Sequence, residues 1–205
     1  MTIENCIEKL MKIDSLEIAT VDANGMPHVR VISARYFDGT DMYFLTARGK
    51  AFAKQLEQNG NVAVIGFDEA ANDQVRLTGK AERVPEAGQL ASRNRMYEVY
   101  PYLENVYPGE TKEIDVMYRI SDYALEYFSL ATHPVTRVFF EVGGAARERK
   151  GFRIGDSCIG CGTCQRNCPQ QVISEGTPFV IAQEHCLMCG NCYEHCPVQA
   201  IEELS

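Results

Sequence analysis

Eight of the nine cysteines in this 205-residue chain fall between Cys158 and Cys196. They form two runs of one pattern, Cys158-x2-Cys161-x2-Cys164-x3-Cys168-Pro169 and, 28 residues later, Cys186-x2-Cys189-x2-Cys192-x3-Cys196-Pro197. This spacing lets one tight loop place three thiolates around three corners of an iron–sulfur cubane and leaves the fourth iron to a ligand from elsewhere. Gly160, Gly162 and Gly190 permit close backbone approach to the sulfurs, and N–H donation to sulfur tunes a cluster's potential. The two prolines turn the chain away and carry no N–H that must be satisfied. Zinc is the alternative, but zinc sites draw ligands in separated pairs, whereas each run here holds four cysteines together. A secreted disulfide scaffold would spread its cysteines through the domain instead. The expectation is eight metal ligands, namely Cys158, Cys161, Cys164, Cys168, Cys186, Cys189, Cys192 and Cys196, holding two [4Fe–4S] clusters. Cys6 stands apart and reads as a buried thiol on a helix face.

A second group of residues could hold an anion. Arg30, Ser33 and Arg35 lie on one expected strand, and Thr46, Arg48 and Lys50 lie at the end of the next. Arg48-Gly49-Lys50 immediately precedes an expected helix at 51–58, and a helix N-terminus with free N–H groups and adjacent cations is a ready anion site. Against this, Arg48 and Lys50 could be solvated turn charges and Arg30 could pair with a surface acid. Arg30 and Arg35 are five apart, so a regular strand points them to opposite faces. Either a bulge intervenes or they touch different parts of the site. His28, just after a turn, reads as a rim residue rather than a catalyst. Tyr97, Tyr100, Tyr102 and Tyr107 either pack a loop, the preferred reading, or line a pocket.

Two resemblances give these groups a setting. Residues 155–203 resemble the bacterial two-cluster ferredoxins, in which the fourth Cys of each run ligates the other cluster. One cluster then takes Cys158, Cys161, Cys164 and Cys196, the other Cys186, Cys189, Cys192 and Cys168. The stretch LEIATVDANGMPHVRVISARYFDGTDMYFLTARGKAFAKQLEQNGNVAVIGFD and the later EYFSLATHPVTRVFFEVGG resemble the FMN-binding split-barrel family, which includes the pyridoxamine 5'-phosphate oxidases. That resemblance covers about 1–142 and rests on the order of elements rather than on one short motif. It implies FMN contacts at Arg30, Val31, Ile32, Ser33, Arg35, Thr46, Arg48 and Lys50, and a homodimer with FMN at the subunit interface. The chain departs from the true oxidases in having no Trp and in carrying a Cys-rich module where their substrate-binding C-terminus stands. Both departures argue against pyridoxamine phosphate oxidation.

The elements that must position these residues follow from pattern. Ile3, Cys6, Ile7, Leu10 and Met11 recur at helical spacing, predicting an amphipathic helix at 2–12. Asn24-Gly25 predicts a hairpin turn between strands at 16–21 and 27–37. Further strands are expected at 42–46, 62–67, 74–84, 123–130 and 136–142, with helices at 51–58 and 86–97. The stretch 98–118 is left open. The fold expected is a mainly β N-terminal domain, an antiparallel split β-barrel with flanking helices, plus a small α+β two-cluster ferredoxin-like domain. The boundaries are 1–142, a Gly-rich and charged linker at 143–151, and 152–205.

Composition bounds the rest. At 45% hydrophobic and 23% charged the chain is ordinary globular material. A net charge of −8 argues against nucleic acid. No apolar run approaches the ~20 residues a membrane span needs, and the acidic, amphipathic start is not a signal peptide. The expectation is a cytoplasmic oxidoreductase that passes electrons between the clusters and FMN. It would take them from a soluble low-potential donor and reduce a small-molecule electron acceptor. The alternatives are an electron carrier or redox sensor without its own substrate, or a barrel holding haem or a deazaflavin.

Overall fold

Thr2 opens the first helix, α1 (Ile3–Lys12): its side chain accepts from the Asn5 N–H while Asn5 Oδ1 accepts from the Thr2 N–H. This satisfies two N–H groups that the helix itself leaves without partners. The face carrying Cys6 and Leu10 is fully buried. At the other end Arg35 donates to the carbonyls of Leu10, Ile13 and Asp14. A cation there completes the orphan carbonyls and complements the helix dipole.

The computed structural model describes residues 1–204. Within them the chain forms two units that do not follow a single cut along the sequence. One comprises Met1–Asp68, Gln74–Glu126 and Phe140–Ala146; the other comprises Glu69–Asp73, Tyr127–Phe139 and the chain from Arg147 on.

The first unit is built on a curled antiparallel sheet. Its strands are β1 (Leu16–Val21), β2 (Pro27–Ile32), β3 (Arg35–Asp38), β4 (Asp41–Ala47), β5 (Asn61–Asp68), β6 (Asp73–Arg83) and β7 (Asp115–Ser129), in the order β2-β1-β5-β6-β7-β4-β3. A further strand, β8 (Thr136–Val142), pairs with β7. Period-two burial is clear in β1, where Leu16, Ile18 and Thr20 are buried and the residues between them are not, as a sheet with one covered face requires. Phe44, Leu77, Met42 and Ile120 are fully buried in the same unit. Helix α2 (Ala51–Gln58) buries Phe52, Ala53, Gln55 and Leu56. Helix α3 (Glu86–Val99) is fixed by one buried amide: Gln89 donates to the carbonyls of Val84 and Met117 and accepts from the Met117 N–H.

Two stretches differ from expectation. The strand expected at 27–37 is broken at Ser33-Ala34 into β2 and β3, and the break turns Arg35 inward beneath α1. The open stretch 98–118 contains the short helix α4 (Leu103–Val106), a 3-10 turn at Gly109–Ile114, and the start of β7, which is much longer than expected.

In the second unit β9 (Gly151–Ile154) pairs antiparallel with β12 (Ile201–Leu204), joining the two ends of the Cys-rich segment. Strands β10 (Ile173–Ser174) and β11 (Val180–Ile181) form a second small ribbon. Helices α5 (Thr163–Asn167) and α6 (Asn191–Glu194) each begin after a glycine in the left-handed region, Gly162 at φ 69° and Gly190 at φ 78°. A side chain is strained in that conformation, so the glycine of each Cys-Gly step lets the chain reverse between the second and third cysteine of its run.

Candidate functional site

In the second unit the eight cysteines separate into two cavities, and the division crosses the two runs. One cavity is bordered by Cys158, Cys161 and Cys164 of the first run together with Cys196 of the second. The other is bordered by Cys186, Cys189 and Cys192 together with Cys168. Counted with the solvent open to them they take up about 300 and 330 Å³ respectively, and apart from the thiols their walls are mainly apolar, with Ile154 and Phe179 in the first and Ile173 and Ile181 in the second. Burial pushes the Cys164 and Cys186 thiols up, and Cys192 up to about 11. A thiolate at these positions therefore needs a compensating cation in the same cavity. Among the described residues no three His, Cys, Asp or Glu side chains are grouped to hold one metal ion. Tetrahedral zinc, with Zn–S near ~2.3 Å, would need four sulfurs within ~4 Å of one another.

The first unit holds a larger cleft, about 1010 Å³ counted with the solvent open to it. It is bordered by residues 30–34, by Leu45, Thr46, Lys50 and Phe52, and by a wall of Tyr102, Leu103, Val106 and Tyr107. Arg30 is held in a closed triangle: it donates to Thr20 Oγ1 (2.6 Å) and Gln55 Oε1 (2.8 Å), and Thr20 donates to Gln55 (2.6 Å). Its guanidinium also stacks on the Phe52 ring at 4.4 Å. Both hydrogen-bond partners are neutral, and burial lowers Arg30 from its ordinary value. A partly desolvated cation with neutral partners is a favourable place for an anion. Lys50 stands at the N-terminus of α2, where no side chain caps the helix, with its ammonium 6.0 Å from the Tyr107 ring centre. Nearby, burial raises the Asp115 carboxyl above the usual range, opposed by the Tyr97 hydroxyl that donates to it (2.7 Å) and by the charges of Lys50 and Arg93.

Of the residues expected to bind cofactor here, Arg30, Val31, Ile32, Ser33, Thr46 and Lys50 border the cleft and two do not. Arg35 is buried beneath α1, its donors used on backbone carbonyls. Arg48 is exposed and donates to the Glu113 carbonyl. His28 is exposed, bonded to Asp22, and does not border the cleft. The tyrosines divide: Tyr97 and Tyr100 pack, Tyr102, which shares a hydroxyl hydrogen bond with Ser33 (2.8 Å), lines the cleft, and Tyr107 does both. Thr20, Gln55 and Phe52 carried no signal in the sequence, because their role depends on β1 and α2 meeting at Arg30.

The family model described as pyridoxamine 5'-phosphate oxidase matches residues 5–117, more than half of the chain. The chain belongs to the pyridoxamine 5'-phosphate oxidase family. A model described as a 4Fe-4S dicluster domain matches residues 150–197, so a flavoprotein fold and an iron–sulfur domain share one chain and make it a redox protein. The pyridoxine/pyridoxamine 5'-phosphate oxidase of Escherichia fergusonii is 37% identical over 79 residues, which is 38% of this chain and 36% of that enzyme; that of Cronobacter sakazakii is 35% identical over the same length. The chain spans about a third of the length of these curated relatives. Two solved structures share the fold. A nimC/nimA family protein from Clostridium acetobutylicum has TM-score 0.58 at 20% identity, covering 68% of this chain and 93% of its own. A pyridoxamine 5'-phosphate oxidase-related, FMN-binding protein from Nostoc punctiforme has TM-score 0.55 at 18% identity, covering 69% and 87%. Among the described residues no helix is long and apolar enough to cross a membrane.

Proposed function

We propose that this chain is an iron–sulfur flavoprotein oxidoreductase with two [4Fe–4S] clusters in the thiol cavities and FMN in the cleft of the first unit. It would draw electrons from a soluble low-potential donor and reduce a small-molecule acceptor other than pyridoxamine phosphate. The observation that carries the reading is the crossed division of the cysteines. Each cavity takes three from one run and the fourth from the other, as paired cubanes demand.

When bound, the clusters supply single-electron steps and the flavin can pass electrons singly or as a hydride equivalent. The chain's own residues supply position and environment. Cys158, Cys161, Cys164 and Cys196 would ligate one cluster, and Cys168, Cys186, Cys189 and Cys192 the other. Arg30, Lys50 and the uncapped start of α2 would hold the FMN phosphate, an arrangement favoured by the helix dipole. Ser33 and Thr46 offer hydroxyls to the rest of the molecule, while Val31, Ile32 and the 102–107 wall keep water from one side of it. Along the sequence the reading assigns 1–142 to the flavin barrel, 143–151 to a linker and 152–205 to the cluster module, although Glu69–Asp73 and Tyr127–Phe139 group with the last of these. Free thiols awaiting iron call for a reducing compartment, the cytoplasm.

A homodimer belongs to the same reading. Strand β2 is an edge of the sheet, and the register places Val29 beside Ala19 and Ala19 beside Ala63, with Val31 and Ile65 flanking Glu17 one row on. Val29 is 70% exposed and Val31 61%. A second copy of the chain would cover this apolar outer face next to the cleft.

The test is anaerobic reconstitution followed by cofactor extraction. About eight iron, about eight sulfide and about one FMN per chain are expected. Photoreduction of the clusters should then bleach the flavin band. Flavin that stays oxidised beside reduced clusters would overturn the internal relay and leave a carrier or sensor.

A further inference from the structure

The duplicated cysteine runs make the two thiol cavities near-copies. A difference between them must come from residues outside the repeat or from positions where its halves diverge. One such difference is a cation. Arg137 lies on β8, within the 127–139 segment that belongs to the same unit as the cysteines.

That segment is fastened beside one cavity only. The Val135 N–H donates to Gln170 Oε1 (2.9 Å), and the Val135 carbonyl is bonded to His185 Nδ1 (2.8 Å). Gln170 follows Cys168 by two residues and His185 precedes Cys186 by one. Both cysteines border the same cavity. Two residues on, the Arg137 guanidinium stacks 4.6 Å from the Phe128 ring centre and donates to Met188 Sδ at 3.6 Å. Met188 stands between Cys186 and Cys189, and its own N–H donates to Cys186 Sγ (3.3 Å). In the first run the corresponding position is Gly160, which has no side chain for such a contact.

We propose that Arg137 raises the reduction potential of the cluster held by Cys168, Cys186, Cys189 and Cys192 above that of its twin. The first electron to enter the module from a low-potential reductant then resides there. The inference rests on the two-cluster reading above. The physical ground is that a nearby positive charge stabilises the more negative, reduced state of a cluster, and local charge and solvent exposure are established levers on its potential.

One pair of charges opposes this. The repeat places Arg166 on α5 near the first cavity, where it bonds the Cys161 carbonyl and Thr163, and places Glu194 at the matching position of α6. Both are exposed while Arg137 is half-buried. Salt screens exposed charges far more than buried ones, so Arg137 is the least screened of the three.

The experiment compares reconstituted wild type with Arg137→Met, Arg137→Gln and Arg137→Lys by redox titration read by electron paramagnetic resonance, after iron and sulfide are counted in each. Wild type should show two resolved steps. Arg137→Met and Arg137→Gln should weaken reduction at the upper step at least tenfold, which is about 59 mV for one electron, and leave the lower step in place. Arg137→Lys should retain most of the upper step's position, and Arg166→Gln should move only the lower one. A single step in wild type overturns the proposal. So does a fully loaded Arg137→Met or Arg137→Gln with both steps unmoved or moved equally, or an Arg137→Lys that behaves as Arg137→Met does. Wild type that takes up little iron and sulfide fails the cluster reading itself, a separate result seen before any titration.

Discussion

Arg30 and Arg35 carry the same side chain five positions apart and perform different tasks. Arg30 borders the cleft with two neutral hydrogen-bond partners and an aromatic ring beneath it. Arg35 is fully buried and donates to backbone carbonyls at the end of α1. Arg30→Met should therefore weaken FMN binding at least tenfold by fluorescence titration while shifting stability little. Arg35→Met should leave buried carbonyls without donors and cost about 3 kcal/mol or more in urea unfolding. The odd spacing of the pair was legible in the sequence; that neither would lie on the outer face was not, because the break at Ser33-Ala34 resets the alternation before Arg35. Tyr123 gives a second test at this scale. Burial raises its hydroxyl from 10.0 to about 12, and it donates to the Thr40 carbonyl (2.7 Å). Its neutral form is favoured in the folded state, so this contribution is fully present below pH ~10 and is lost as pH climbs toward ~12. Stability should fall by roughly 2–3 kcal/mol across that window. Tyr123→Phe should start about 1 kcal/mol lower at pH 8 from the missing hydrogen bond and show a flatter decline, measured by urea unfolding at pH 8 and pH 11.

Elements decide which cysteines meet. The pairing of β9 with β12 joins the two ends of the Cys-rich segment, and the helices after Gly162 and Gly190 carry the third cysteine of each run into its cavity. Cys196 thereby borders the cavity of the first run although it lies 28 residues beyond Cys168. Cys196→Ala should remove one of four ligands from the cluster of Cys158, Cys161 and Cys164, leaving the other cluster intact. Iron should fall from about eight to between about four and about seven per chain, and one of two paramagnetic signals should change. Loss of the signal belonging to Cys186, Cys189 and Cys192 would contradict the crossed arrangement. This level of the cluster site could be read from the sequence because spacing within a run is local and the repeat is exact in its cysteines. The cleft was only half legible at the same scale. Residues 30–34, Thr46 and Lys50 follow from strand and helix pattern, but the wall at 102–107 lies in the stretch where helix α4, a 3-10 turn and the start of β7 follow within a few residues, too short for any periodicity to develop.

For the whole molecule, the open question is what covers the outer face of β2, β1 and β5. Period two places Ile18, Thr20, Val62 and Val64 in the core, and the residues between them fall outside. In a sheet that faced only water those outer positions would carry charges. Here one charge, Glu17, stands among Val29, Val31, Ala19, Ala63, Ile65 and Phe67, with Phe67 51% exposed. An edge strand with unpaired backbone and apolar side chains invites association unless something covers it, and a stable dimer needs about 1,200 Å² or more of buried surface. A dimer through this face would have to bury that much, and Val31 ties the face to the cleft. Val29 lies on the face but does not border the cleft, so Val29→Glu separates the two effects. It should convert a dimer to a monomer in sedimentation at micromolar concentration and leave iron content unchanged. Flavin affinity should fall with the dimer, because the partner then no longer closes the cleft. Wild-type chain that sediments as a monomer, or a Val29→Glu chain that remains dimeric, would mean that this face is covered by something else. If Val29→Glu is monomeric yet holds FMN as tightly as wild type, the cleft is complete within one chain.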